Sequence, residues 1–405
     1  MSDHPTRADI DLLEGSFYVD DPGEKYAWMR ANAPVYFDAK GGVWGFASYA
    51  AVLAASKDPK TFSNAGGIRP DNGPIPMMID MDDPEHWKRR KLVNRGFTPR
   101  RVRDSEPKIR EVADSIIDEV CERGECDFVR DIAAPLPMIL IGDMLGVEPE
   151  DRDDLLRWSD DMVSAQSGNA TEEQFMGAMH AMEEYTAFCT HAVAQRQQHP
   201  TDDLMSVLVH AEVDGDRLGP DEVLHESLLI LVGGDETTRH VISGGMEQLL
   251  LNPDQQKLLI DDFGKIPTAV EEMLRWVSPI KNMCRTVTHD TEFMGEQLHA
   301  GQKCMLLYES ANRDETKFAD PYRFDVERQP NEHVAFGFGA HFCLGQALAR
   351  LELRVMFEQL LTRLPDLELT VDASELPRRP ANFISGLEAM PVRFTPSAPL
   401  NRSTL

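Results

Sequence analysis

The feature that most constrains the fold is a long helical pattern over residues 220–251, PDEVLHESLLILVGGDETTRHVISGGMEQLLL. Its apolar residues recur at intervals of three and four, which is typical of one face of an α-helix. One helix of this length would measure ~45 Å and cross the whole molecule. The remaining elements would then have to pack around it.

Gly233 and Gly234 lie at the centre of this pattern, although each costs about 1 kcal/mol of helix stability relative to alanine. Thr237 follows, and a threonine hydroxyl can bond to the carbonyl oxygen four residues back and bend a helix. Two interpretations are open. Either two helices meet at a Gly-Gly turn, or one helix leaves its backbone bare for a bulky group that lies against it.

The rest of the chain predicts a helix-rich fold with a minor sheet. Strand-like runs occur at 35–37 and 43–48 and return over 283–308, with turn residues between them. Helical periodicity begins near residue 100. The predicted helices cover residues 105–124, 136–146, 151–165, 171–197, 202–212, 220–251, 254–262, 266–277 and 343–363.

The net charge of −28 argues against binding of nucleic acid or an anionic membrane, because the average surface field repels phosphate. The longest aliphatic block near the middle, residues 228–232, is far shorter than the ~20 residues that span a bilayer. The N-terminus shows no basic region followed by an apolar run, so no targeting signal is predicted. We therefore expect a cytoplasmic protein without a membrane span.

Residues 86–110 contradict the average charge, because they carry ten Lys or Arg against only Asp104 and Glu106. One interpretation is a solvated helix face whose charges form salt bridges. The other is a docking site for an anionic partner or group. The charge pattern alone does not separate the two.

The stretch AFGFGAHFCLGQALAR, residues 335–350, places Cys343 between a glycine-rich apolar loop and a helical pattern. A thiolate there would gain from the helix dipole and from unpaired backbone N–H groups. A lone cysteine cannot hold zinc or an iron–sulfur cluster, which need about four ligands. It can hold haem iron, because the porphyrin supplies the four equatorial nitrogens. The alternative is a buried core cysteine before a helix.

Glu272 and Arg275 stand three residues apart in EEMLRWVSP and therefore share a helix face, where they can form an ion pair. Arg323 lies further along, in PYRFD. We expect this arginine to complete a buried ion network that supports the cysteine loop.

Five motifs together resemble bacterial cytochrome P450 haem-thiolate monooxygenases in their order and rough spacing. Besides the cysteine loop they are PEHWKRRKLVNRGFTP at 84–99, GGDETT at 233–238, EEMLR at 271–275 and ANRDETKFADPYRFD at 311–325. The resemblance implies a single domain over 1–405 that is mainly α with minor β (α+β), with the long central helix over the haem. It implies a β-rich subregion at about 30–70 and 283–308 and a helical body at about 84–280 and 343–363.

By this resemblance, Cys343 is the thiolate ligand to the iron of haem b. Glu236 and Thr237 match the acid and the alcohol that handle protons while O2 is activated. Gly233 and Gly234 match positions that make room for oxygen and substrate. The alternative for Glu236 is a surface acid paired with a nearby base.

The resemblance also gives the basic segment two uses. Its inward residues would bind the haem propionates, since two carboxylates at the edge of an apolar pocket need cationic donors. Its outward residues would face an acidic ferredoxin that supplies electrons. The implied propionate donors are His86, Arg90, Arg285 and His341, the implied haem contacts in the cysteine loop are Phe336 and Gly345, and the implied ferredoxin-facing residues are Lys88, Arg89, Lys91 and Arg95.

The segments that match the family's substrate-facing regions are apolar, which implies a large hydrophobic substrate. The stretch at 66–94 and the GGDETTRH form of 233–240 look like mycobacterial-type sterol side-chain hydroxylases, which oxidise the terminal side-chain carbon of cholesterol or cholest-4-en-3-one. A fatty acid, terpene or polyketide is the alternative. Methionines 176, 179 and 182 fit either core or pocket. The expected pocket residues are Ile75, Met77, Met78, Ile79, Val232, Ile280, Met283 and Phe383.

Three other classes compete with a monooxygenase driven by a ferredoxin. A peroxide-driven relative would need no electron donor, and a haem-based sensor would need no oxygen chemistry. The pair Glu236 and Thr237 argues against both, because that pair serves oxygen activation in the family. A small-molecule binder without haem would leave Cys343 and its glycines unexplained.

Overall fold

The computed structural model describes residues 4–19, 22–148, 151–165 and 170–400. Helices form most of the chain and small sheets complete it, which confirms the predicted mainly α fold with minor β. The α-helices are α1 Gly23–Asn32, α2 Tyr49–Lys57, α3 Glu85–Val93, α4 Pro99–Asp104, α5 Glu106–Val120, α6 Pro135–Leu145, α7 Arg152–Ser164, α8 Glu172–Gln198, α9 Leu204–His210, α10 Pro220–Leu251, α11 Pro253–Asp261, α12 Ile266–Val277, α13 Tyr308–Ala311 and α14 Gln346–Arg363.

The long predicted helix forms as one unbroken element, α10. The interpretation of two helices that meet at a Gly-Gly turn is therefore wrong. Pro220 occupies the first turn, where a missing N–H leaves no hydrogen bond unmade. Glu222 accepts a hydrogen bond from the Gly219 N–H at 2.8 Å, which satisfies a further donor at this end.

Within the described ranges the strands pair into three small sheets. They are β1 Val35–Asp38, β2 Val43–Phe46, β3 Phe62–Ser63, β4 Glu125–Asp127, β5 Asn282–Val287, β6 Thr291–Phe293, β7 Glu296–Leu298, β8 Lys303–Leu307, β9 Glu368–Leu369 and β10 Pro391–Arg393. The largest has the order β1-β2-β8-β5-β3, in which β2 and β8 are parallel and the other pairs antiparallel. It joins the predicted early and late strand segments into one sheet.

The largest hydrophobic cluster surrounds the middle and C-terminal half of α10, with α5, α6, α12 and α14 packed around it. Gly244 allows α12 to come close, because a Cβ at this position would lie 2.8 Å from Cγ2 of Val277. Met246, Met273 and Phe357 fill the surrounding core and are fully buried. Tertiary packing of this kind supplies most of a helix's stability, so α10 tolerates its glycines.

The differences from the predicted elements are local. The helix expected at 343–363 begins only at Gln346, which leaves Cys343 in the preceding loop. The helix expected at 202–212 is reduced to α9. Helices α1 and α2 were not predicted, because short apolar runs in the first hundred residues favoured strands.

Among the described residues, no helix has both the length and the apolarity that crossing a bilayer requires. All six cysteines are free thiols.

Candidate active site

A cavity lies between α10 and the loop that carries Cys343. Residues of α3, β5, α12 and α14 complete its wall. The nine predicted cofactor-binding residues all line it: His86, Arg90, Gly233, Gly234, Arg285, Phe336, His341, Cys343 and Gly345.

The cysteine loop folds back on itself just before α14. The backbone N–H of Cys343 donates to the carbonyl of Phe336 at 2.9 Å. Gly337 and Gly339 have φ values of 68° and 79°, in the left-handed region that favours glycine. A Cβ at Gly339 would also lie 2.3 Å from the carbonyl oxygen of Ser56, so the loop needs glycine there.

Two opposing effects act on the Cys343 thiol. Burial is the larger effect, and it raises the pKa of the thiol by penalising the thiolate. The backbone N–H groups of Gly345 and Gln346, with the positive charges of Arg90 and Arg350, act in the opposite direction. The thiolate would therefore gain strongly from a cation bound in front of it.

The opposite wall of the cavity is one face of α10. Among the described atoms, none would come within 4 Å of a Cβ added at Gly233, whereas a Cβ at Gly234 would lie 2.6 Å from Cδ1 of Ile141. The Thr237 hydroxyl donates to the Gly233 carbonyl at 2.8 Å and leaves the helix unbroken. Thr238 also lines this wall.

Four nitrogen-bearing side chains converge at one edge of the cavity. The His86 and His341 rings lie 4.0 Å apart between centroids. His86 Nδ1 contacts Asp83 at 3.1 Å, while its Nε2 is buried without a hydrogen-bond partner among the described residues. Burial, followed by the positive charges of His86, Arg285 and Arg90, lowers the pKa of His341 to about 2. An anion at this edge would relieve that repulsion.

The acidic side chain that lines the cavity among the described residues is Glu352, on α14. Burial raises its pKa to about 8, so it is largely neutral at pH 7. No motif or spacing in the sequence singles out this residue. The cationic edge is therefore not matched by an anionic carboxylate in the cavity wall.

These features fit the haem that the resemblance implies. A thiol on one wall faces the bare backbone of Gly233 on the other, and the edge offers donors for two carboxylates without a carboxylate to match them. A lone thiol with such surroundings suits a metal that takes its other ligands from a flat macrocycle.

Glu236 points away from this cavity and is fully buried. Its Oε1 accepts from Arg239, and its Oε2 accepts from Nη1 of Arg379 at 3.0 Å and lies 3.2 Å from Nε2 of His240. Burial alone would raise the pKa of this carboxyl, but the contact with His240 and the charges of Arg239 and Arg379 hold it well below its usual range. Glu236 is thus a buried, ionised acid rather than a surface one.

Asp235 is a second buried acid, which the sequence did not single out. Neither of its carboxylate oxygens meets hydrogen-bond geometry with a described residue. Burial raises its pKa to about 7, although the nearby charge of Arg239 opposes this. Adjacent residues of one helix therefore hold one ionised carboxyl and one whose pKa is raised to near neutral pH.

The predicted support network forms around Glu272, but with a different arginine. Nε and Nη2 of Arg275 each donate to the Glu272 carboxylate at 2.7 Å, and both side chains are fully buried. Arg328 adds a further contact from Nε at 3.1 Å. The prediction for Arg323 is wrong, because its side chain is exposed and only its carbonyl accepts from Arg275 and Arg328.

This network reaches the cysteine loop through the backbone. Arg275 Nη1 donates to the Asn312 carbonyl at 2.7 Å, and the Asn312 side chain accepts from the Val334 N–H at 2.8 Å. Glu271 contacts His333 at 3.1 Å and Arg350 at 2.6 Å, which clamps the loop at both ends.

Four of the eight predicted pocket residues line the cavity. They are Met78, Ile79, Ile280 and Met283. The other four are not among the residues that line it. Met77 is buried in the same hydrophobic cluster as Met78, Ile75 and Val232 pack against that cluster, and Phe383 packs with Ile68 and Ile384.

Helical spacing from Gly233 would have identified several apolar lining residues that the sequence analysis missed. Ile230, Leu229 and Val241 lie three, four and eight positions away and line the same wall. Met176 and Met179 are instead 58% and 47% exposed, so neither core nor pocket describes them.

The basic segment divides between inside and outside. Arg89 turns inward and donates to Glu222 at 2.7 Å and to Glu226 at 3.0 Å, so the prediction that it faces a ferredoxin is wrong. Lys91 is held by Asp214 at 2.8 Å. Lys88 and Arg95 are exposed. Arg90 turns toward the cavity and donates to the Phe342 carbonyl, which places α3 beside the cysteine loop.

Comparison with known proteins agrees with this site. Residues 153–378 match the family model for cytochrome P450. Over 97% of its length the chain is 60% identical to a steroid C26-monooxygenase of Mycobacterium tuberculosis, covering 98% of that protein. It is 57% identical to a steroid C26-monooxygenase of Mycolicibacterium smegmatis, over 99% of this chain and 100% of that protein. A Mycobacterium marinum cytochrome P450 in complex with pseudoionone superposes with a TM-score of 0.88 at 34% identity, over 97% of this chain and all of that one.

The corrected network predicts which arginine is needed for stability. Arg328→Met leaves the fully buried Glu272 carboxylate short of a partner and should lower the free energy of unfolding by about 3 kcal/mol. Arg323→Met removes an exposed side chain and should change it by less than about 0.5 kcal/mol. Urea unfolding followed by circular dichroism measures both. A larger loss for Arg323→Met than for Arg328→Met would contradict the assignment.

Proposed function

Because the chain belongs to the cytochrome P450 family, a family of haem-thiolate monooxygenases, we propose that it oxidises the terminal side-chain carbon of a sterol. The observation that carries this proposal is the 60% identity, over nearly the full length of both chains, to a steroid C26-monooxygenase. The apolar residues that line the cavity beyond the cysteine loop support it, since a sterol offers almost only apolar surface for recognition.

Haem b, the family's cofactor, supplies the iron that activates O2 for insertion of one oxygen atom into a C–H bond. Cys343 is proposed as the ligand that donates its thiolate to this iron. His86, Arg90, Arg285 and His341 are proposed to bind the two propionates. Their convergence at one edge of the cavity supports this assignment, as does the buried Nε2 of His86, which has no hydrogen-bond partner among the described residues.

We also propose roles for two side chains of α10. Thr237 lines the cavity, and its hydroxyl can hand on a proton at the reacting side of the helix. Glu236 is ionised and connects that helix to polar groups behind it, so it can accept protons from them. The two residues are adjacent, which allows exchange through a water at the helix edge.

Removal of the thiol tests the metal ligand. The reduced, carbon monoxide-bound difference spectrum of the parent should show the red-shifted Soret band of a thiolate ligand, and Cys343→Ala should lose it. Cys126→Ala, at a partly buried cysteine on β4, is the matched control and should keep the band. An unchanged spectrum in Cys343→Ala would assign the iron to another ligand.

Ligand binding tests the substrate class. Titration with cholest-4-en-3-one should shift the ferric haem from low to high spin, and turnover should add one oxygen to the terminal side-chain carbon, as read by mass spectrometry. A steroid without a side chain is the control and should give no such product. If fatty acids or terpenes shift the spin state and no sterol does, the substrate proposal fails while the family assignment stands.

We further propose that a ferredoxin docks beside α3, where Lys88 and Arg95 are exposed near the cysteine loop. The double variant Lys88→Glu with Arg95→Glu should slow ferredoxin-driven reduction ~10-fold at low salt, with a smaller difference at high salt. Stopped-flow absorbance measures this rate. Lys40→Glu, at an exposed lysine after β1, should leave it unchanged. Equal rates for the double variant and the parent would contradict the docking site.

A further inference from the structure

A second cavity lies behind α10, on the side away from Cys343. Its volume of about 330 Å³ exceeds by far the ~15 Å³ needed for one water position. Its wall is polar, with Glu247, Lys281, Glu309, Arg313 and Arg378 among the lining side chains. Tyr322, which is 47% exposed, also lines it and marks its side toward solvent.

His240 lies between this polar cavity and Glu236. Its ring lines the cavity, and its Nε2 lies 3.2 Å from Oε2 of Glu236. Both ring nitrogens are buried, and neither meets hydrogen-bond geometry with a described residue, so Nε2 lies within reach of the acid without an aligned hydrogen bond to it. Gly386 makes room for the ring, because a Cβ there would lie 2.3 Å from Nδ1. One imidazole nitrogen thus faces the acid, while the ring borders the polar space.

The other groups around Glu236 are less suited to deliver a proton. Arg239 and Arg379 contact the carboxylate, but a guanidinium does not release its protons in a protein. Asp160 is held by Arg239 at 3.1 Å and is 42% exposed, so it is the rival source. His240 is the neighbour of Glu236 that has both a titratable ring and a position in the wall of the polar cavity.

We propose that His240 passes protons from the polar cavity to Glu236 during turnover. This inference rests on the proposed role of Glu236. Nδ1 accepts a proton from solvent in the cavity as Nε2 gives its own proton to Oε2 of the Glu236 carboxylate. The carboxyl becomes neutral and the imidazole is left as the other tautomer. Loss of the Nδ1 proton to water and uptake of a proton from water at Nε2 restore the first tautomer.

The charges that face the ring come from several elements. Glu236 favours the protonated ring, while Arg239 on α10 and Arg379 after α14 disfavour it. In the cavity Glu247 is paired with Arg378, and Lys281 lies 3.4 Å from Glu309. Burial is the largest influence and lowers the pKa of His240, which favours a neutral ring that alternates between tautomers.

Two variants remove the relay and keep different parts of the packing. His240→Gln retains an N–H donor toward Glu236, and His240→Phe retains a ring. Both should lower the rate of product formation about tenfold or more, divert electrons from product to hydrogen peroxide and raise the solvent deuterium isotope effect. His225→Gln, on the same helix near its start, is the matched control and should behave as the parent. The carbon monoxide spectrum verifies haem loading in each.

Comparison with Glu236→Gln distinguishes failure of the His240 relay from failure of the role proposed for Glu236. If Glu236→Gln leaks peroxide but both His240 variants keep the parent's coupling and isotope effect, the relay is wrong and Glu236 keeps its role. Asp160→Asn should then show the loss instead. If Glu236→Gln itself is fully coupled, the proposed role of Glu236 fails and the relay fails with it.

A measurement on the protein without turnover tests which nitrogen of the His240 ring carries the proton, because the relay requires it on Nε2. The histidine ¹H–¹⁵N spectrum of the ferrous, carbon monoxide-bound protein, with His240 assigned from His240→Gln, should show a proton on Nε2. The signal should shift in Glu236→Gln. A resting ring with its proton on Nδ1 would overturn the proposal, because Nε2 would then have no proton to give.

Discussion

The cysteine loop depends on a carboxylate that has no contact with solvent. Glu272 is fully buried, and an isolated charge in that position would cost several kcal/mol. Arg275 and Arg328 offset this cost, and the spare donors of Arg275 bind the Asn312 and Pro321 carbonyls. Because the Asn312 side chain holds Val334, the ion network fixes the backbone shortly before Cys343. Replacing the network with apolar residues would remove those directional bonds and leave the loop without its anchor.

Helix α10 separates two unlike spaces, and helical geometry assigns its residues to them. Gly233, Thr237 and Val241 repeat every fourth position and face the apolar cavity. Glu236 and His240, also four apart, face the polar side. The same element can therefore keep substrate in an apolar environment and hold ionised groups within one helical turn of it. Thr237 is adjacent to Glu236 in sequence, so the chain itself connects the two faces.

Local pattern was enough to predict most of the helices from residue 105 onward, and the family resemblance of the motifs pointed to the nine cofactor-binding residues that line the main cavity. It failed where the direction of a side chain, inward or outward, depends on the path of the backbone. Arg323 and Arg328 are both arginines after EEMLR, and only the fold shows which one turns inward to Glu272. Arg89 was expected outside because a basic helix face is usually solvated, yet Glu222 and Glu226 on α10 draw it inward.

The same reasoning explains why half of the expected pocket residues do not line the cavity. In the loop before α3, Glu226 accepts a hydrogen bond from the Met78 N–H at 2.8 Å, and Asp80 accepts from the Ile68 and Ile75 N–H groups. These bonds fix the turn in which Met78 and Ile79 line the cavity, whereas Ile75 and Met77 do not. No periodicity marks such a loop, so apolar composition alone could not separate its two sides.

The position of each basic residue around α3 decides whether it faces the cavity or solvent. Both interpretations of the basic segment therefore apply, each to different residues. His86 and Arg90, four positions apart, line the cavity, whereas Lys88 lies on the opposite face and is exposed. In a chain with a net charge of −28, the positive groups at the cavity edge have no ionised carboxylate to match them within its wall. A bound group that brings negative charge would offset the repulsion among them. The order of residues in one short helix thereby determines both where an anionic cofactor fits and where an acidic partner could approach it.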